Sequence, residues 1–184
     1  MVNGFWSGDS HHFDVTQGGT ITVNLTALTA DGRSVARAAL QLWTDVIGVT
    51  FTEVASGGQI QFDDLEDGTG AFSDGVWSGG ITTSAIVNVS PSRLGIGPGI
   101  VRGGLQTYIH EIGHALGLGH AGDYNGGTAF SRYPFEATYI NDGAALSMMS
   151  YFDNGENSYY DDLGFSNLLV ATPQIGDIAA AELL

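Results

Sequence analysis

One short stretch, HEIGHALGLGH, constrains this chain more than any other. Its histidines His110 and His114 would lie about one helical turn apart on the same face, so that both imidazoles can reach one ion. His120 cannot share that face, and we expect the chain to leave the helix at Gly117, because glycine tolerates positive φ. Three protein ligands with an open position for water are typical of catalytic zinc. The spacing therefore predicts a zinc centre with Glu111 beside it.

The complete pattern H-E-x-x-H-x-x-G-x-x-H is the signature of metzincin peptidases, which this chain resembles. The alternative is a helix whose histidines only cap or pack, but a chance match would have to satisfy all the fixed positions. A second glycine, Gly119, is expected to leave the next segment free to direct His120 at the ion. The signature therefore favours the metal site over ordinary packing.

A second element, the sequence Ser-Met-Met-Ser-Tyr at 147–151, resembles the Met-turn that runs beneath the histidines in metzincins. In serralysin-type sequences the methionine of this turn is followed by Ser-Tyr, and we therefore assign the position beneath the histidines to Met149 and not to Met148. The same resemblance implies that Tyr151 is a further zinc ligand and takes part in catalysis.

The resemblance to serralysin catalytic domains extends over most of the chain from about residue 20. Ala121 is a departure, because serralysins usually carry proline directly after the third histidine. The calcium-binding repeats G-G-x-G-x-D, which precede the export signal of serralysins, are absent from this sequence. The segments that carry the resemblance, besides the signature and the Met-turn, are RAALQLWTDV at 37–46, FTEV at 51–54, GDYN at 122–125 and TPQIGDIAA at 172–180.

Composition limits the classes of protein to which the chain can belong. Its 184 residues can bury one core, and the resemblance divides this single domain into an upper part, about 1–120, and a lower part, about 121–184. The formal net charge is −15 and all five basic residues are arginine, so no nucleic-acid partner is expected. No apolar run approaches the roughly 18 residues of a membrane span. The absence of cysteine excludes disulfide and thiol chemistry.

The periodicity of apolar residues predicts an α+β fold, which the resemblance specifies as a mixed twisted sheet with a zinc helix and a carboxy-terminal helix. Thr172 is expected to cap the last helix, with Pro173 as its first residue. The predicted strands are 20–26, 49–54, 59–62 and 85–89, and the predicted helices are 34–47, which follows a turn at Asp31-Gly32, 105–116, and the carboxy-terminal helix.

Two further features concern binding. The strand Ala85–Val89, which lies between glycine-rich spacers, is expected to be the edge strand above the zinc, where a peptide could add by main-chain hydrogen bonds; an interior strand is the alternative. The acidic residues Asp63, Asp64, Glu66 and Asp67 could hold calcium, but they lack the ligand spacing of a known loop, and a solvated loop is favoured.

The resemblance implies a secreted zinc endopeptidase that hydrolyses extended peptide or protein substrates, with Glu111 as general base and zinc as cofactor. A protein inhibitor is a further candidate partner. A narrow-specificity processing peptidase and a catalytically silent, zinc-stabilised binding module are the alternatives; the intact Glu111 argues against the second. The sequence leaves open the cleavage preference, and whether residues 1–19 belong to a propeptide.

Overall fold

The computed structural model describes residues 1–2, 4–65, 70–94, 102–125, 133–166 and 169–184. In this part of the chain a mixed sheet packs against two long helices, and two short helices follow towards the carboxy terminus. The strands are β1 His12–Phe13, β2 Thr20–Asn24, β3 Thr50–Glu53, β4 Ile60–Asp63, β5 Ala71–Ser78 and β6 Ile81–Val89. The helices are α1 Ala30–Ile47, α2 Arg102–Leu116, α3 Ser158–Asp162 and α4 Ile175–Ala181, with a 3₁₀ turn at Pro91–Leu94.

The sheet runs in the order β3, β2, β4, β6 and β5, and β1 pairs with the first residues of β6. All pairings are parallel except that of β5 with β6, which is antiparallel. β5 and β6 form a hairpin through Gly79 and Gly80, whose φ values are 59° and 82°. A two-residue hairpin turn of type I′ requires positive φ at both positions, and glycine meets this requirement without strain.

The prediction that Ala85–Val89 is an edge strand was wrong. These residues form most of β6, which has β4 on one side and β5 on the other. Among the described residues the edge strand on this side of the sheet is β5, which the sequence analysis did not identify. The reason is that Gly79 and Gly80 are the turn of a hairpin, and not a spacer before an isolated strand.

Helix α1 also begins earlier than predicted, at Ala30 and not at Ser34. Its N-cap is Thr29, whose hydroxyl accepts a hydrogen bond from the Gly32 amide at 3.2 Å. The Thr29 amide in turn donates to the Asp64 carboxylate at 2.8 Å. Because this carboxylate holds the cap from 35 positions further along the chain, the Asp31-Gly32 pair lies in the first helical turn instead of ending the preceding strand.

The tryptophan in α1 fixes the position of α2. Trp43 is fully buried, and its indole N–H donates to the backbone carbonyl of Ile109 at 3.0 Å. Val35 and Ala39 on the same face of α1 are also buried, whereas Leu42 and Val46 are only partly buried. This hydrogen bond holds α2 in position at Ile109, the residue directly before His110.

The start of the carboxy-terminal helix was predicted incorrectly. Helix α4 begins at Ile175 with Gln174 as its N-cap, so Thr172 is not the cap and Pro173 is not the first helical residue. The Gln174 amide donates to the carboxylate of Asp177 at 2.7 Å, and this bond satisfies an amide at the helix start. The Gln174 side chain donates back to the Thr172 carbonyl.

Candidate metal centre

The three histidines of the signature come together where α2 ends. His110 and His114 lie in the last turns of this helix, and Gly117, with a φ of 111°, turns the chain out of it. A Cβ atom on Gly117 would lie 1.9 Å from the carbonyl oxygen of His11, so a larger residue is excluded by space as well as by backbone conformation. Three residues later His120 returns to the helix face.

The ligand atoms of this triad are close enough to share one ion. The Nε2 atom of His120 lies 3.2 Å from that of His110 and 3.0 Å from that of His114. One nitrogen from each ring lies within 4.8 Å of those of the other two. The predicted metal ligands on the signature are therefore assembled in space.

The hydrogen bonds of the imidazoles show which nitrogen of each ring is free to bind a cation. The Nδ1 atoms of the three histidines each lie 2.7 Å from a backbone carbonyl oxygen, belonging to Met148, Leu118 and Tyr124 respectively. A carbonyl only accepts, so each Nδ1 carries the proton and donates it, and each neutral ring leaves Nε2 as a bare lone pair. Three converging lone pairs repel one another unless a cation lies between them. This donor set fits zinc.

Burial determines the protonation states of the side chains in the site. Loss of hydration lowers the pKa of His110 and takes that of His114 well below its usual value. Burial, with a smaller contribution from His110, lowers the pKa of His120 to about 3. Burial has the opposite effect on Glu111, which is 6% exposed: it raises the pKa of this carboxyl to about 8, against a smaller opposing effect of Arg93. All three imidazoles are therefore neutral, as metal binding requires.

An open pocket of about 450 Å³ adjoins the triad. It is bounded by the face of α2 that carries His110 and Glu111 and by the segment around Tyr151, and Gly70 and Ala71 at the start of β5 also line it. A second cavity of about 450 Å³ lies between α1, α4 and the far end of the sheet, and neither the three histidines nor Glu111 nor Tyr151 lines it.

Met149 is fully buried, and it packs against α2. A Cβ atom on Gly113 would lie 2.7 Å from the Met149 sulphur and 3.2 Å from the Trp43 ring, so glycine lets the helix approach both side chains closely. Met148 contributes a backbone atom instead, the carbonyl that accepts from His110. The two methionines therefore support the site in different ways.

Tyr151 lies beside the triad, with its ring centroid 4.3 Å from that of His120 and 5.9 Å from that of His110. Its backbone amide donates to the hydroxyl of Tyr124 at 3.4 Å, and that hydroxyl donates to Asp142 at 3.0 Å. Tyr124 therefore contacts two parts of the site, because its carbonyl also accepts from His120.

Sequence reasoning missed several residues that hold the site together. Asp177 in α4 accepts hydrogen bonds from the Ser147 hydroxyl at 2.6 Å and the Met148 amide at 2.8 Å, and so it fixes the Met-turn. Phe5 and Trp6 pack against the ring of His114. Nothing in the local sequence marks these residues, because their partners lie far along the chain.

The acidic group that was considered for calcium is only partly described. Asp64 caps α1 through Thr29, and Asp63 accepts a short hydrogen bond from the Asn88 side chain. Both carboxylates therefore have partners within the protein. Glu66 and Asp67, the remaining members of the group, lie outside the described residues.

Among the described residues no helix combines the length and apolar character that crossing a membrane requires.

Comparison with known proteins agrees with this geometry. Residues 47–144 match the Peptidase M66 family. The chain is 36% identical to Metallopeptidase AprA of Pseudomonas marginalis over 162 residues, which cover 84% of this chain and 34% of the relative. It is 38% identical to Serralysin C of Dickeya chrysanthemi over 163 residues, covering 82% and 32% respectively. The chain thus spans about a third of the length of these curated relatives.

A solved structure shares the fold. The crystal structure of myroilysin superimposes with a TM-score of 0.56 at 20% identity, and the match covers 96% of this chain and 86% of that one. At this level of identity the likeness concerns the arrangement of sheet and helices, and it supports the mixed α and β fold.

Proposed function

The chain belongs to the Peptidase M66 family and is related to the serralysin metalloproteases, and from this premise we propose that it is a zinc endopeptidase with a metzincin-type catalytic domain. The observation that carries the proposal is the convergence of three bare Nε2 lone pairs beside a buried glutamate and an open pocket. In this proposal His110, His114 and His120 hold the zinc. An active-site cleft is proposed to lie between an upper part of the domain, about 1–120, and a lower part, about 121–184.

Glu111 is proposed as the base and then the acid of peptide-bond hydrolysis. Bound zinc would supply Lewis-acid chemistry, which acidifies water and polarises a carbonyl. Glu111 takes a proton from the attacking water while the water oxygen bonds to the carbonyl carbon of the substrate. The carbon–nitrogen bond then breaks, and the same carboxyl gives the proton to the departing amine.

The raised pKa of Glu111 is consistent with this role. In the metal-free protein, burial outweighs Arg93 and favours the neutral carboxyl, with a pKa of about 8. A cation at the adjacent triad stabilises the ionised form and so lowers this pKa, which brings it towards neutral pH, where a general base is most effective. Glu111 would therefore become a base when the site is loaded.

Tyr151 is proposed to ligate the zinc in the resting enzyme and to stabilise the transition state. Its ring lies beside His120 and lines the same pocket as Glu111. The phenol would donate a hydrogen bond to the oxygen that becomes negatively charged when water attacks. This role comes to the chain from its resemblance to serralysins, and the position of the ring supports it.

The proposed substrate is an extended peptide that runs along the edge of β5. Among the described residues this strand pairs with β6 alone, and its first residue, Ala71, lines the pocket beside Glu111. The backbone groups on its free side could pair with a substrate strand and position its peptide bond at the site. β5 thus takes the role that the sequence suggested for Ala85–Val89. By its relation to serralysins, the protein is proposed to act outside the cell.

Digestion of casein with and without phenanthroline tests the proposed function. A zinc endopeptidase cleaves casein at many positions and stops when the chelator is in excess. Cleavage at one or two positions only would favour a processing peptidase, and zinc binding without any cleavage would favour the silent binding module. Undiminished cleavage in excess chelator would contradict a metal-dependent mechanism altogether.

A further inference from the structure

The amino-terminal segment, residues 1–8 of which residue 3 is not described, binds the loop that carries the third histidine. The amide of Gly119 donates to the carbonyl of Met1 at 2.6 Å. The indole N–H of Trp6 donates to the carbonyl of Gly117 at 2.8 Å, across 111 positions of sequence. Both hydrogen bonds fix backbone groups of the loop between the end of α2 and His120.

Aromatic rings of this segment also cover two of the histidines. The Phe5 ring lies nearly parallel to that of His114, with centroids 5.7 Å apart and an interplanar angle of 20°, and it contacts the His120 ring at 4.7 Å. Trp6 continues the cluster to Trp77 at the end of β5, at 5.6 Å. The segment thus joins the ligand loop to the edge of the sheet.

Gly119 is explained by this contact and not by its backbone conformation. It is absent from the described glycines with positive φ, in contrast to Gly117. A Cβ atom at position 119 would nevertheless lie 2.1 Å from the Cβ of Phe5, far inside van der Waals contact. The expectation that Gly119 frees the backbone is therefore replaced by a close approach of the amino-terminal segment, which only glycine permits.

The segment leaves the metal-facing side of the triad accessible. A metal ligated by imidazole lies in the plane of the ring, along the Nε2 lone pair, whereas Phe5 is stacked on the face of His114. None of the residues lining the pocket at Glu111 and Tyr151 comes from the segment. Its described contacts therefore support the ligands without lining that pocket.

We propose that the amino-terminal segment is a positioning element, which holds His120 and His114 in their metal-binding geometry through Phe5 and Gly119. The proposal rests on the zinc site proposed above. Loosening the segment should therefore release zinc faster, by about tenfold, the lower end of the effect of changes behind metal ligands. The ligands themselves, Glu111 and the pocket stay unchanged.

The test compares the rate at which zinc passes from the full chain to a coloured chelator in wild type and in four variants: Gly119→Ala, Phe5→Gly, the double variant that combines these two changes, and Gly103→Ala. Gly119→Ala introduces the collision, and Phe5→Gly removes the ring together with the Cβ that is hit. Gly103→Ala in the first turn of α2 is the matched control, because a Cβ there meets nothing within 4 Å. Far-ultraviolet circular dichroism verifies that each variant is folded.

We expect faster zinc release from both single variants and a wild-type rate from the control. The double variant should release zinc no faster than Phe5→Gly alone, because the collision needs both partners. Equal rates in wild type and Gly119→Ala, or a double variant in which the effects add, would overturn the positioning role. Higher peptidase activity in the variants with unchanged zinc release would make the segment a plug instead. A wild-type chain that binds no zinc would overturn both this proposal and the proposed function.

Discussion

The triad has two faces that are built from different parts of the chain. The open face carries His110, Glu111 and Tyr151 around a pocket that a substrate can enter. On the covered face, aromatic rings from the amino-terminal segment lie over His114 and contact His120. In the proposed enzyme, the chemistry of the site and the support of its ligands are therefore separate tasks, and only the first needs access to solvent.

Among the proposed substitutions, Glu111→Ala on the open face should lower turnover the most. Loss of a general base ordinarily lowers turnover about 10²- to 10⁴-fold. Zinc content should stay at the wild-type level, because Glu111 is proposed as a base and not as a ligand. Steady-state kinetics and metal analysis of the same preparation check both statements. A variant that keeps more than about a hundredth of the wild-type rate contradicts the proposed role.

The second largest effect on the open face is expected for Tyr151→Phe. The hydroxyl is proposed to meet the oxyanion only in the transition state, so its loss should lower kcat more than it raises KM. Removal of one such donor elsewhere costs about 2.7 to 4 kcal/mol, which sets the upper limit here. Kinetics on one peptide substrate decide the question; an unchanged kcat would reduce Tyr151 to a packing residue.

The covered face can be probed by pH in metal-free protein. Burial keeps the pKa of His114 well below 6.5 in the folded state. As pH falls below 6.5 the unfolded chain therefore binds a proton that the folded chain does not, and the free energy of unfolding decreases. The raised pKa of Glu111 acts in the opposite direction, removing stability as pH rises from 4.5 to about 8.

A comparison with His114→Gln isolates the histidine, since Glu111 contributes to both proteins. Between pH 6 and pH 5, about where an unperturbed histidine titrates, wild type should lose more stability than the variant, by at most about 1.4 kcal/mol per pH unit. Urea denaturation at the two pH values measures the difference. Equal losses in the two proteins would mean that His114 is not held neutral on the covered face.

The smallest effects on stability and activity are expected for changes in the Met-turn, which supports both faces of the triad. Met149→Leu conserves volume at a buried contact to Gly113, so it should destabilise the fold by less than about 1.5 kcal/mol and leave some activity. Met148→Leu is the matched control and should not alter zinc binding, because Met148 supports His110 through its backbone carbonyl. Loss of zinc from the Met148 variant alone would reverse this assignment.

The convergence of the three histidines proposed as metal ligands could be predicted from sequence because its geometry is local. His110 and His114 share a helix, and Gly117 marks the turn that brings His120 back, so spacing alone assembles them. The strands β2 and β4 were predicted for the same reason, since their alternation of buried and less buried side chains is also local.

The errors occur where a distant side chain decides the local structure. The start of α1 depends on Asp64, which holds Thr29 from the end of β4. β5 was missed because its apolar residues Phe72 and Val76 point to solvent, the reverse of the usual pattern, and the Gly-Gly turn after it was the signal that could have revealed the hairpin.

The covered face could not be predicted at all, because its contacts join residues more than a hundred positions apart. Trp6 meets Gly117 and Phe5 meets Gly119 only after the sheet and α2 have formed. No periodicity, spacing or composition records such a pairing, and a glycine that is needed for close approach looks in the sequence like one that is needed for a turn.

Zinc titration of the metal-free chain, followed by hydrolysis of a peptide substrate, tests the central claim most directly. The account predicts that activity rises in proportion to added zinc and reaches its maximum at one equivalent per chain, with the three histidines as the site. The same titration of His120→Ala should give little activity at one equivalent. Full activity before zinc is added, or no activity when the site is saturated, would contradict the account.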